Sequence, residues 1–138
     1  MEASKSRVLL VEDSKFLRIA TERALSKAGF GVITAADGEQ AVQLAKEHLP
    51  DIILLDMMLP KLSGPDVLRA LKANPATMDI PVIVLSSLSQ MNEEKLLSEG
   101  AAAYFEKSTL ELDKSSDRLA ATIQSTLRQA SRPRKPDS

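Results

Sequence analysis

Three short stretches of the chain are apolar without interruption, and each has the length of a β-strand. They span residues 8–11, 52–55 and 82–85, and unbroken apolar runs of this kind are typical of parallel strands that are covered on both faces. Two further stretches complete a set of five predicted strands. The five span residues 7–11, 30–35, 51–55, 80–85 and 102–105.

Helical patterns separate these predicted strands. Apolar side chains recur there at three- and four-residue spacing, which places them on one face of a helix. Asp37 is predicted to open the second helix, and Ser63 or Asp66 to cap the third. A short fourth helix is predicted over about residues 91–99, and an amphipathic fifth over about residues 116–130. Five β–α repeats predict a doubly wound parallel sheet with helices on both faces.

The composition favours one small domain and excludes several kinds of site. With 138 residues there is room for one domain, predicted over residues 5–129, and a basic tail with two prolines is predicted to be disordered over residues 130–138. The absence of cysteine excludes disulfides, thiolate chemistry and zinc fingers. A net charge of −1 does not indicate a nucleic-acid or membrane partner, and no apolar stretch is long enough to span a bilayer. We therefore expect a cytoplasmic protein.

Polar side chains follow four of the five predicted strands. Glu12 and Asp13 come after the first strand and Asp56 after the third. Ser86 comes after the fourth strand and Lys107 just after the fifth. Ligands of open parallel α/β sheets bind beyond the carboxyl ends of the strands, so we expect these side chains to converge there. Clustered carboxylates repel one another and favour a hard cation such as Mg²⁺, and the whole set suits phosphoryl transfer onto a carboxylate.

Each of these residues also has an ordinary structural explanation when it is taken alone. Glu12 and Asp13 could cap the first helix and complement its dipole. Lys107 could be a solvated surface lysine, and Ser86 a turn residue. Asp56 is harder to explain in this way, because a carboxylate at the end of an apolar strand is costly unless it is paired or bound to a metal. The joint pattern is what favours a functional site.

Four motifs carry a resemblance to a known family. They are VLLVED at residues 8–13, LLDMMLP at 54–60 with Gly64 four residues later, IPVIVLSS at 80–87 and GAAAYFEK at 100–107. In this order and at this spacing they resemble the response-regulator receiver family over about residues 5–129. The resemblance implies a flavodoxin-like, doubly wound, five-stranded parallel sheet with five helices.

The resemblance also implies a complete phosphorylation site. Its members would be the acidic pair Glu12 and Asp13 that holds Mg²⁺, the phosphoacceptor Asp56, the backbone carbonyl of Met58 as a further metal ligand, the switch hydroxyl of Ser86, Lys107 as the partner of a phosphoryl oxygen, and the switch aromatic Tyr104. One departure concerns Ser108, because the family usually has a proline at that position.

The implied protein is a stand-alone, chemotaxis-receiver-like module of a two-component phosphorelay. A histidine kinase or histidine phosphotransfer protein would donate the phosphoryl group, and a downstream protein would recognise the surface of the fourth helix, fifth strand and fifth helix. The domain would assist its own phosphorylation and dephosphorylation without being a conventional enzyme. Neither nucleic acid nor membrane is expected as a partner of this chain.

Two alternatives stay open at this point. The first is a degenerate receiver that is never phosphorylated and acts as a constitutive adaptor. The second is a phosphohydrolase of the haloacid-dehalogenase type, which also works through an aspartyl phosphate. Its nucleophile would follow the first strand in an Asp-x-Asp pattern, where this chain has Glu12, Asp13 and Ser14. A nucleotide-binding sheet is discarded, because Gly29 and Gly31 precede a strand and Thr34 stands where a third glycine would be needed.

Overall fold

The computed structural model describes residues 6–56, 64–86, 100–106 and 115–131. Strands and helices alternate along these ranges. The elements are β1 (Arg7–Val11), α1 (Lys15–Lys27), β2 (Gly31–Ala35), α2 (Gly38–His48), β3 (Ile52–Asp56), α3 (Gly64–Ala73), β4 (Val82–Ser86), β5 (Ala103–Glu106) and α4 (Ser115–Ser131). The helix predicted near residues 91–99 lies outside the described residues, so α4 corresponds to the fifth helix of the prediction.

The five described strands form one parallel sheet in the order β2-β1-β3-β4-β5. The chain runs from β1 to β2 on one side and then crosses to β3 on the other side of β1, so the direction of winding reverses between β1 and β3. Such a switch point opens a crevice at the carboxyl ends of the two strands. The parallel sheet predicted from the sequence is confirmed, and its central crevice is the natural place for a site.

Alternate residues of the strands face opposite sides of the sheet, and two of the described helices cover each side. On one side, Leu9 and Val11 of β1 pack in a buried cluster with residues of α2 and α3. On the other side, Val8 and Leu10 pack in a second cluster with Leu25 of α1 and with residues of α4. Burial on both faces explains why the central strands are continuously apolar in sequence.

Of the predicted helix starts, that of α2 is confirmed and that of α3 needs correction. Asp37 caps α2 as predicted, since its Oδ1 accepts a hydrogen bond from the Gln40 amide at 2.8 Å. Asp66, in contrast, is not the cap of α3: it lies inside the first turn and pairs with Arg69 at 2.7 Å. The other candidate cap, Ser63, lies outside the described residues. At its far end, α4 continues two residues beyond the predicted domain boundary at residue 129.

Candidate functional site

The carboxyl ends of β1 and β3 lie side by side in the centre of the sheet, because the register pairs Val11 with Leu55. Glu12 is the first residue after β1. Asp56 is the last residue of β3 instead of the first residue after it, since its backbone still pairs with Leu85 of β4. Only 2% of Glu12 and 1% of Asp56 are exposed. Two carboxyl groups are thus buried at the switch point of the sheet, where a polar group is costly unless it is hydrogen-bonded, paired or bound to a metal.

Asp13 joins these two residues to form an acidic cluster. One carboxylate oxygen from each of Glu12, Asp13 and Asp56 lies within 4.8 Å of the other two. Glu12 and Asp56 are buried, whereas Asp13 is exposed and leaves the cluster open to the outside. Like charges at this distance repel one another, and three convergent carboxylate oxygens are donors that suit a hard divalent cation. The structure therefore brings together the three carboxylates that the sequence predicted to converge.

Local hydrogen bonds explain how the chain turns after β1. The amide of Glu12 still donates to the Ala35 carbonyl at 3.0 Å, which extends the pairing with β2 by one residue. The Glu12 Oε2 atom then accepts a hydrogen bond from the Ser14 amide at 3.0 Å. Ser14 is the N-cap of α1, and its Oγ accepts from the Leu17 amide at 3.4 Å. The explanation of Glu12 and Asp13 as the caps of this helix is therefore wrong, because Ser14 takes that role.

Arg18 is a residue at the site that the sequence analysis missed. From the end of the first turn of α1, its Nη1 atom donates to the backbone carbonyl of Glu12 at 2.9 Å and, at a longer distance of 3.5 Å, to that of Asp13. Arg18 is half-buried and brings a positive charge beside the acidic cluster. Its only signal in the sequence is its position four residues after a capping serine, which by itself indicates nothing about the loop before the helix.

The remaining predicted site residues are only partly covered by the structure. Ser86 ends β4, so its backbone lies one residue beyond the register partner of Asp56 on the neighbouring strand. Tyr104 lies in β5, with its backbone opposite Val84. Met58 and Lys107 lie outside the described residues, as does Ser108. Their roles remain predictions from the sequence.

A phenylalanine beside the site is unusually exposed. Phe16 lies two residues after the capping Ser14, and 78% of it is accessible to solvent. Ile19, one turn further along α1, is 38% exposed. The first turns of α1 therefore present an apolar surface next to the acidic cluster. No helix in the described parts of the chain has the length and apolar character needed to cross a membrane.

Comparisons with known proteins agree on one family. The model of the response regulator receiver domain matches residues 8–120. A gliding motility regulatory protein from Myxococcus xanthus is 46% identical over 110 residues, which cover 78% of this chain and 14% of that protein. A transcriptional regulatory protein from Mycobacterium tuberculosis is 41% identical over 102 residues, which cover 73% of this chain and 43% of that protein. The chain thus spans less than half the length of these two curated relatives.

Solved structures share the fold. The receiver domain of a sensor histidine kinase from Pseudomonas aeruginosa, whose structure has a magnesium ion coordinated in the active site cleft, superimposes with a TM-score of 0.79. It is 28% identical in sequence, and the match covers 90% of this chain and 98% of that domain. The sheet described above is therefore the flavodoxin-like sheet of receiver domains.

Proposed function

This chain belongs to the response regulator receiver family, and from that premise we propose that Asp56 accepts a phosphoryl group from a phosphohistidine donor. Receiver domains are the phosphoacceptor modules of two-component signalling, so the remaining questions concern the residues of this chain. The observation that carries the proposal is the position of Asp56, buried at the end of the central strand and within 4.8 Å of two further carboxylates. Carboxylates are established phosphoryl acceptors.

Glu12, Asp13 and Asp56 would hold Mg²⁺, with the backbone carbonyl of Met58 as a further ligand. The fit is supported by the chemistry of the cluster: its three donors are oxygens, two of them belong to buried side chains, and the third residue is open to the outside. When bound, Mg²⁺ supplies positive charge that offsets both the carboxylate repulsion and the charge on the transferring group.

The transfer step follows from this arrangement. An Asp56 oxygen forms a bond to phosphorus, while the bond between phosphorus and the donor imidazole nitrogen breaks and the imidazole leaves with the electron pair. Ser86 would donate a hydrogen bond to one phosphoryl oxygen, and Lys107 would pair with another. With these groups the domain assists its own phosphorylation, and with water as the nucleophile it assists dephosphorylation. These roles rest on the family motifs and on the strand ends that carry Asp56 and Ser86.

The phosphoryl group would then change a surface that another protein recognises. It brings up to two negative charges and strong hydrogen-bond acceptors, which would draw Ser86 and Lys107 inward and let Tyr104 occupy the vacated space. The affected surface would comprise the helix predicted near residues 91–99, β5 and α4. Since a ligand shifts an equilibrium only through contacts that differ between the two states, loss of Ser86 or Tyr104 should uncouple phosphorylation from this change.

The donor would be a histidine kinase or a histidine phosphotransfer protein, and the exchange would take place in the cytoplasm. The donor must bring its phosphohistidine to the carboxyl end of the sheet. Phe16 is 78% exposed there, which gives that end of the domain an apolar contact for the donor surface. We further propose that the receiver domain extends to Ser131, the last residue of α4, and that neither the domain nor the basic residues that follow it bind nucleic acid or membrane.

Mass spectrometry tests the phosphoacceptor directly. The protein is incubated with acetyl phosphate and Mg²⁺, and one added phosphoryl group on Asp56 is expected. Asp56→Asn should lose the addition completely because the nucleophile is gone. The matched control is Asp51→Asn at the other end of β3, which keeps an oxygen that can accept from the Arg7 amide. Equal modification of Asp56→Asn, or full modification of the parent in excess chelator, would contradict the proposal.

NMR tests the switch. Amide shifts on phosphorylation should extend to β5 and α4 in the parent and should be much reduced there in Ser86→Ala, although Asp56 still becomes phosphorylated. Shifts confined to α1 and α2 would contradict this route of signalling.

A further inference from the structure

The turn that carries Glu12 and Asp13 is held by the side chain of a residue further along the chain. Arg18 Nη1 donates to the carbonyl of Glu12 at 2.9 Å and to that of Asp13 at 3.5 Å. Successive peptide groups of a strand face opposite ways, so two successive carbonyls that share one donor mark a chain that has left strand geometry. The bonds of Arg18 therefore stabilise the turn that aims both carboxylates at Asp56.

Two further hydrogen bonds, together with the bond from Arg18 Nη1 to the Glu12 carbonyl, form a closed ring of contacts. Glu12 Oε2 accepts from the Ser14 amide at 3.0 Å. The Ser14 carbonyl accepts from the Arg18 amide at 2.8 Å, within the first turn of α1. The Arg18 side chain then returns to the Glu12 carbonyl. The acidic residue at the centre of the sheet is thus tied through both its carboxylate and its backbone to the start of one helix.

We infer that Arg18 is a positioning residue for the divalent cation, an inference that rests on the proposed function. Arg18 contacts the backbone of two of the carboxylate residues and fixes the peptide groups from which their side chains project. Carboxylates oriented before the cation arrives lose less freedom when it binds, so binding is tighter. Removing a residue that orients metal ligands without binding the metal itself commonly weakens metal affinity by about 10–100-fold.

The positive charge of Arg18 should weaken Mg²⁺ binding, whereas its hydrogen bonds to the turn should strengthen it. A positive charge beside the acidic cluster repels an incoming cation, so on electrostatic grounds alone its removal should tighten Mg²⁺ binding. Orientation and charge therefore predict changes of opposite sign for Arg18→Met. The structure favours orientation, because the guanidinium is engaged with the two backbone carbonyls and half-buried against the turn.

The experiment compares Mg²⁺ binding by the parent, Arg18→Met and Arg18→Lys, measured by isothermal titration calorimetry. Arg18→Met should bind Mg²⁺ about tenfold more weakly than the parent. Arg18→Lys should fall between the two, because an ammonium keeps the charge and can donate, but lacks the rigid planar geometry that holds Nη1 between the two carbonyls. Arg23→Met is the matched control: it removes the same charge from an exposed position on the same helix and should bind as the parent does.

A kinetic readout separates positioning from general damage. With acetyl phosphate as donor, the Mg²⁺ concentration for half-maximal phosphorylation of Arg18→Met should rise by the same factor as the dissociation constant. The rate at saturating Mg²⁺ should stay within about twofold of the parent, because the cation restores the turn once it is bound. The inference would be overturned if the rate at saturating Mg²⁺ fell by the factor expected for the dissociation constant while the Mg²⁺ concentration for half-maximal phosphorylation stayed that of the parent.

Each result decides the question. Arg18→Met that binds Mg²⁺ as tightly as the parent, or more tightly, overturns the positioning role and leaves the proposed function intact. If circular dichroism shows that Arg18→Met does not fold, the folded Arg18→Lys decides, and affinity equal to that of the parent overturns the inference. A parent chain that binds no Mg²⁺ overturns both the inference and the metal site of the proposed function.

Discussion

The two ends of the parallel sheet differ in one feature of their charged residues: only the carboxyl end of the described sheet holds a cluster of three carboxylates. At the amino end, charged side chains bond to the backbone: Asp51 accepts from the Arg7 amide at 2.7 Å, and Lys72 Nζ donates to the carbonyls of Met78 and Ile80 at 3.0 Å each. At the carboxyl end, three carboxylates crowd within 4.8 Å of one another. The first arrangement closes loops and strand ends, whereas the second holds like charges whose repulsion a bound cation relieves.

The backbone differs between the two ends as well. The positive-φ residues of the described chain are Leu49, Gly29 and Gly100, and all three lie in the turns that lead back to the amino ends of strands. At Gly100 a Cβ atom would approach the side chain of Lys72 to 3.0 Å. Tight turns and charged side chains bonded to the backbone thus stabilise the amino end, and the carboxyl end is kept open for a ligand. Substitutions at the amino end should therefore change stability with little effect on phosphorylation. Substitutions at the carboxyl end should change Mg²⁺ binding and phosphorylation with little loss of stability.

The largest effect is expected for a ligand at the carboxyl end. Asp13→Asn should weaken Mg²⁺ binding by at least about tenfold, because the cluster loses a charged oxygen donor that is open to the incoming ion. Asp37→Asn is the control, since asparagine also caps helices and the same charge is removed from the same end of the sheet. Calorimetric titration measures both. Equal losses for the two variants would mean that net charge, and not the cluster, sets the affinity.

Lys72→Met, at the amino end of the sheet, should lower the stability of the protein without changing its phosphorylation. Two carbonyls lose their donor, so the free energy of unfolding should fall by about 1–2 kcal/mol. Phosphorylation by acetyl phosphate should proceed at the parental rate. Urea denaturation and mass spectrometry give the two quantities. A variant that is fully stable but poorly phosphorylated would break the separation between the two ends.

Lys72 should also make stability depend on pH. Burial lowers the pKa of Lys72 below its ordinary value of 10.5, and the negative charge of Asp79 opposes this shift. Between the lowered pKa and 10.5 the unfolded chain binds more protons than the folded chain, so the contribution of Lys72 to stability increases as pH rises through that interval. The difference in unfolding free energy between the parent and Lys72→Met should be larger at about pH 10 than at about pH 8. A difference that shrinks with pH would contradict the cause given for the shift.

The smallest effect is expected at Leu49, which is the C-cap of α2 with a φ of 46° and is 53% exposed. Leu49→Gly should raise the free energy of unfolding by about 0.5–1 kcal/mol, because glycine adopts this conformation without the steric cost of a Cβ atom. Leu49→Ala removes the same exposed apolar surface but keeps the Cβ atom, so it should give no gain. Equal stability of the two variants would show that the left-handed conformation is not strained here.

The strands were predictable because their apolar runs reflect burial on both faces. The bounds of β1 are as predicted, whereas those of the other four strands differ by at most two residues. The end of β3 shows why: the backbone of Asp56 keeps pairing with Leu85 although its side chain is polar. Helix starts depend on single hydrogen bonds, which composition does not specify. Asp37 and Asp66 were both candidate caps in the sequence, yet the first caps a helix and the second pairs with Arg69 inside one.

The acidic cluster was predictable because it follows from topology. Once β1 and β3 are neighbours in a parallel sheet, the residues that follow Val11 and Leu55 must meet. Arg18 was not predictable in the same way, since its bonds to the Glu12 and Asp13 carbonyls depend on how the chain turns into α1. The residues that position a site are therefore harder to find from sequence than the residues that compose it.

The most direct test of the contrast between the two ends is the melting temperature of Asp56→Asn with and without Mg²⁺. Removing one of three crowded charges should leave the variant as stable as the parent or more stable when no divalent cation is present. At a Mg²⁺ concentration about 100 times its dissociation constant, the free energy of unfolding of the parent should rise by about 2.7 kcal/mol, and its melting temperature should rise accordingly. The variant should show only a small part of this rise. A clear fall in the melting temperature of the metal-free variant, or equal stabilisation of both proteins by Mg²⁺, would contradict the account.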